Sequence, residues 1–141
     1  AEKRSHFETA LFDLTELLLD IEVGDVYTVA LELVYGAEKL VFRYNRLKQV
    51  MTIDRTKMRQ GGRGTRSFKL YVDRTLSLRI YVDHSAVEAF FQYGEEAATV
   101  AIFPEEDVRP TLRVFSDVDV EQLTGVLWEL EPFHYEAVGT I

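Results

Sequence analysis

The sequence predicts an all-β fold: a two-sheet antiparallel β-sandwich, with a short helix or turn at its N-terminus. Three observations carry this expectation. Apolar residues recur at every second position through most of the chain, as they do where one face of a strand lies on a core. The runs are rich in aromatic and β-branched residues, which suit a pleated surface. Glycine and proline punctuation separates them, with little helical spacing in between. The alternation is one-sided and no propeller or solenoid repeat is visible, which favours the sandwich.

The N-terminal segment is read two ways. Ser5 and Glu8 have capping-box spacing, and Phe7, Ala10, Leu11, Leu14, Leu17, Leu18 and Ile21 follow at helical intervals. Leu19, Ile21 and Val23 also alternate with Asp20 and Glu22. Residues 1–16 are therefore expected to form a linker, turn or short helix, and 17–141 the sandwich, with a strand from about Leu17. Val29, Leu31 and Leu33 alternate next, then Leu40, Phe42 and Tyr44 beyond the Gly36 turn. Lys48–Asp54 is a further strand, followed by the alternating Phe68, Leu70 and Val72. Leu76, Leu78, Ile80 and Val82 make the longest alternating run. Ala86–Tyr93 and Ala97–Phe103 are expected to pair through a hairpin at Gly94, where a residue able to take positive φ is needed. Thr111–Ser116 and Val120–Leu130 complete the strands.

Composition narrows the function. A chain of 141 residues fits one domain with its own core. The absence of cysteine excludes disulfides, thiolate metal sites and a cysteine nucleophile. A formal charge of −8 disfavours a nucleic-acid partner. The one basic stretch, with Lys57, Arg59, Arg63 and Arg66 among Gly61, Gly62 and Gly64, reads first as a solvated loop and second as a phosphate site. No apolar run is long enough to cross a bilayer as a helix, and no membrane partner is expected.

Asp83, His84 and Ser85, with Glu88 three residues on, are residue types of a hydrolase site. Consecutive residues cannot easily form a serine–imidazole–carboxylate relay, because neighbours on a strand point to opposite faces. A hairpin turn is the expected role, since Asp and Ser bond nearby backbone amides. His6, His84 and His134 lack metal-ligand spacing. Glu105, Glu106 and Asp107 read as a solvated loop ahead of a cation site, and the glycine loop is neither a Walker loop nor a dinucleotide fingerprint. Trp128, Phe133 and Tyr135 are candidates for a sugar-stacking platform or for plain core and edge residues. No catalytic, cofactor-binding or metal-binding residue is named, and no cofactor is expected. Sugar binding, if any, is expected to be no tighter than millimolar.

The run "LRIYVDHSAVEAFF" resembles a signature of the C-terminal β-sandwich of glycoside hydrolase family 32. The family pattern, Leu-Arg-Ile-x-Val-Asp-x-Ser and then x-Val-Glu-x-Phe, is met at Leu78, Arg79, Ile80, Val82, Asp83, Ser85, Val87, Glu88 and Phe90. "MTIDR" at Met51–Arg55, Gly94 with Glu95, Ile102-Phe103-Pro104 and "VLWEL" at Val126–Leu130 agree in order. "HSAVEAFFQYGEE" and "FPEEDV" are most similar to bacterial sucrose-6-phosphate hydrolases within that family. The resemblance implies that catalysis belongs to an N-terminal five-bladed propeller, carrying its acidic residues in Asn-Asp-Pro, Arg-Asp-Pro and Glu-Cys motifs. Here the sole asparagine, Asn45, precedes Arg46, and Arg-Asp-Pro and Glu-Cys do not occur. The resemblance therefore implies a non-catalytic module of a cytoplasmic β-fructofuranosidase. Its partner would be the propeller, with homo-oligomerisation left open. A carbohydrate-binding module and a free-standing oligomerisation domain are the rival readings.

Overall fold

The computed structural model describes residues 4–59, 64–105 and 108–130. Eleven strands run in chain order: β1 (Arg4–Ala10), β2 (Thr15–Glu22), β3 (Thr28–Tyr35), β4 (Glu38–Asn45), β5 (Val50–Asp54), β6 (Thr65–Lys69), β7 (Thr75–Val82), β8 (Ala86–Phe91), β9 (Glu96–Ala101), β10 (Thr111–Ser116) and β11 (Gln122–Glu129). They form two antiparallel sheets. The first has the order β1-β10-β3-β4-β5-β6, and the second β11-β2-β7-β8-β9. The all-β sandwich is thus the architecture.

The helical reading of the N-terminus gives way to a strand. Arg4–Ala10 is β1, which pairs antiparallel with β10 along its length, with a register shift between Ser5 and Phe7. Its apolar residues are too sparse to declare a period of two, and Ser5 with Glu8 mimics a cap. A neighbouring strand offering unpaired backbone groups decides the matter instead. β2 begins at Thr15, two residues before the expected start, and alternates strictly between buried and half-buried positions. The expected Phe68–Val72 run is likewise cut short. β6 ends at Lys69, and Leu70 and Val72 are buried beyond its end.

The core lies between the sheets. From the first come Val29, Leu31, Leu33, Leu40, Phe42, Met51, Ile53, Leu112 and Val114. From the second come Leu17, Leu19, Ile21, Leu76, Leu78, Ile80, Val87 and Phe91, and all are buried. Phe91 ties the layers together, with its ring centroid 6.1 Å from that of Phe42 and 5.3 Å from that of Phe68. Each burial follows from the period-two pattern, because a slip of one residue would turn the whole apolar set outward.

Polar groups fix the loops. The buried Glu38 carboxylate accepts hydrogen bonds from the backbone amides of Arg59 and Glu105, each at 2.8 Å. These amides, the Arg59 one foremost, hold its carboxyl below the usual range despite burial. One side chain at the β3–β4 turn thus pins two loops that are far apart in sequence.

Candidate functional site

The Asp83-His84-Ser85 segment is a turn. Oδ1 of Asp83 accepts from the backbone N of Ser85 at 2.7 Å, the backbone N of Ala86 at 2.8 Å and the Ser85 hydroxyl at 3.2 Å. The Asp83 amide donates to the Ala86 carbonyl at 3.0 Å, closing the β7–β8 hairpin in the register Val82↔Val87. The Ser85 amide is the main reason the Asp83 carboxyl lies below its ordinary range. The Ser85 hydroxyl donates to a carboxylate whose basicity is lowered by the Ser85 and Ala86 amides, which makes Asp83 a poor general base for activating it.

That turn edges a cavity of about 520 Å³ at one end of the sandwich, lined by Asp13, Tyr35, Asp83, His84, Glu105 and Arg109 among others. Two of its polar groups are engaged elsewhere. Asp83 holds the turn, and Glu105 pairs with Arg59 at 2.8 Å. The Tyr35 hydroxyl is buried without a partner. Burial, followed by the Asp83 charge, pushes that phenol well above its ordinary value.

Two described members of the basic stretch are engaged separately. Arg59 is taken by Glu105, and Arg66 lies over the Phe68 ring at 5.5 Å, while Gly61, Gly62 and Arg63 fall outside the described residues. Of the aromatic platform, Trp128 is exposed on β11, and Phe133 and Tyr135 lie outside the described residues, as do His134, Glu106 and Asp107. Among the described residues, no group of three or more His, Cys, Asp or Glu could hold a metal ion. No described helix is long and apolar enough to cross a membrane.

A second cavity, about 660 Å³, lies on the outer face of the second sheet. Its walls are Leu18 and Asp20 of β2, Ser77, Arg79 and Tyr81 of β7, Glu88 and Phe90 of β8, and the Tyr93-Gly94 turn. Strand register assembles it: Asp20 stands opposite Ser77, Leu18 opposite Arg79, Arg79 opposite Phe90 and Tyr81 opposite Glu88. The Tyr81 and Phe90 rings meet edge to face at 6.1 Å and 90°. Behind them the Tyr81 hydroxyl donates to Glu16 Oε2 at 3.0 Å, and Arg79 Nε lies 3.6 Å from the same oxygen. That bond to Glu16 is the first cause of the raised Tyr81 phenol value. Oδ1 of Asp20 is buried and has no hydrogen-bond partner.

Sequence reasoning missed this cluster, because its members come from three separated segments and each alternates with core residues. The usable signal was the outward set of the signature run, Arg79, Tyr81, Glu88 and Phe90. It is unusually aromatic and charged at once.

Comparison with known proteins gives a consistent result. The family model described as "Glycosyl hydrolases family 32 C terminal" matches residues 3–128. A sucrose-6-phosphate hydrolase from Staphylococcus xylosus is 35% identical over 97 residues, covering 65% of this chain and 19% of that protein. A 6(G)-fructosyltransferase from Asparagus officinalis is 45% identical over 49 residues, covering 35% of this chain and 8% of that protein. Among solved structures, the exo-inulinase of Aspergillus awamori superposes with a TM-score of 0.77 at 23% identity, covering 92% of this chain and 27% of that one. The sucrose-6-phosphate hydrolase of Lactobacillus gasseri gives 0.54 at 26% identity, covering 79% and 28%. Chicken galectin 2 shares the fold alone, at 0.59 and 14% identity, covering 87% of this chain and 100% of that one. The chain spans under a third of each of these family 32 relatives. With the family match extending over nearly all described residues, the chain belongs to the C-terminal domains of glycosyl hydrolase family 32.

Proposed function

We propose that this chain is the non-catalytic β-sandwich module of a β-fructofuranosidase that hydrolyses sucrose or sucrose 6-phosphate. In this reading it supports an N-terminal catalytic propeller. The observation that carries the reading is the family match over residues 3–128, joined to the small share of each enzyme relative that this length represents. The chemistry of the chain agrees. Retaining glycosidases need two carboxyl groups about 5–5.5 Å apart flanking the scissile bond. Asp83 and Glu105, acidic groups beside the cavity at the hairpin end, are committed to a turn and to an ion pair. The module would work by covering apolar surface on the propeller and stiffening it, as intra-chain domain interfaces do.

The parent enzyme, assayed with and without residues 1–141, tests this. The truncated form should lose activity on heating at a lower temperature, while fructose is still released at the start of the assay. Equal thermal inactivation of the two forms would contradict the supporting role. The kinship with sucrose-6-phosphate hydrolases favours a cytoplasmic parent, since a phosphorylated disaccharide is an intracellular substrate.

A further inference from the structure

We propose that the cavity on the outer face of the second sheet is a saccharide-binding site that takes a neutral sugar and rejects sugar phosphates. The volume, about 660 Å³, falls in the roughly 300–1,000 Å³ range of small-ligand sites. The walls supply what a sugar ring needs. Phe90 and Tyr81 offer apolar ring surface, and Tyr93, 83% exposed at the rim, offers another face for the C–H side of a pyranose or furanose. Asp20 and Glu88 offer acceptors for hydroxyl hydrogens, and Arg79 offers donors.

Two features argue for a ligand rather than a bare sheet face. Asp20 is half-buried in the cavity wall and its Oδ1 has no hydrogen-bond partner, so its carboxylate keeps acceptor capacity for a ligand hydroxyl. The rim is also preset. Gln92, Tyr93 and Gly94 all hold positive φ, at 52°, 58° and 92°, which for the two side-chain-bearing residues is an uncommon state. The Gln92 side chain locks this turn, accepting from the Ser77 amide at 2.6 Å and donating to the Thr75 carbonyl at 3.0 Å. Tyr93 therefore stands over the cavity on a fixed turn rather than a loose loop.

Charge decides the class of sugar. Asp20, Glu88 and the adjoining Glu16 outnumber Arg79, whose guanidinium already faces Glu16. A phosphate would meet net repulsion, and a neutral polyol would not. This assignment does not depend on the activity of the parent, because any neutral oligosaccharide serves as a probe.

The experiment is a titration of the ¹⁵N-labelled chain, followed by NMR, with sucrose, a fructosyl trisaccharide, maltotriose and sucrose 6-phosphate. Saturable shifts confined to β2, β7, β8 and the 92–95 turn are expected for at least one neutral sugar, with a dissociation constant of about 1 mM, as a shallow site allows. Sucrose 6-phosphate should bind at least ~10-fold more weakly than sucrose. Tyr93→Ala, at an exposed rim position, and Asp20→Asn should each weaken binding by ~5-fold or more while leaving the remaining spectrum folded. Absence of saturable shifts for every neutral sugar would overturn the site. So would equal binding of the phosphate, shifts elsewhere on the molecule, or affinity unchanged in both variants. Protection of this face in the full-length parent, without sugar binding by the chain, would assign it to a protein contact and overturn it too.

Discussion

At Gly94 the backbone has φ of 92°, and a Cβ built there would meet nothing within 4 Å. The demand is therefore conformational rather than steric, and a β-branched residue would be strained by roughly 1–3 kcal/mol. Gly94→Val should lower the denaturant midpoint clearly, while Glu96→Gln should leave it nearly unchanged; paired urea melts check this. The Gly94 turn was legible because two alternating runs, ending at Phe91 and starting near Ala97, leave only a short link. The left-handed Gln92 and Tyr93 were not legible. Nothing in those residue types asks for positive φ, and the side-chain bonds of Gln92 to β7 impose it. Asp83 carries a second prediction. Its folded carboxyl value is depressed, so its contribution is complete above the unfolded carboxylate value and is lost as pH falls through the folded one. Asp83→Ala should cost about 1 kcal/mol at neutral pH. The gap between variant and parent should narrow in melts taken at progressively acid pH.

Among the elements, β1 is the most informative. It forms one edge of the first sheet, and His6 Nε2 hydrogen-bonds the Ser116 hydroxyl of β10. Its side chains bury little, with Phe7 38% exposed, so the hydrophobic pattern that announces β2 to β5 is missing. Central strands are readable because both of their neighbours and the core constrain one face. β1 buries few side chains and is held mainly by its pairing with β10, which leaves a weak trace in sequence. Deleting residues 1–10 should uncover the β10 edge. The shortened chain is expected to unfold at lower denaturant and to aggregate at lower concentration, by light scattering, than the full chain. Unchanged stability would mean that β1 contributes no net pairing energy.

For the molecule as a whole, the architecture was legible because one period-two pattern runs through nearly every segment, and the module's family was legible from the ordered pieces around "LRIYVDHSAVEAFF". The outer-face cavity was not. Leu18, Asp20, Ser77, Arg79, Tyr81, Glu88 and Phe90 become neighbours only through the β2–β7–β8 register, which no local spacing encodes. The same register explains why Asp83, His84 and Ser85 make a hairpin and no hydrolytic relay: the fold uses the carboxylate to close the turn. We propose that this sandwich carries no glycosidase chemistry of its own. The direct measurement is fructose release from sucrose and from sucrose 6-phosphate by the purified 141-residue chain. Release at the level of a protein-free blank is expected at every concentration of chain. Release that rises in proportion to the chain and survives further purification would contradict it.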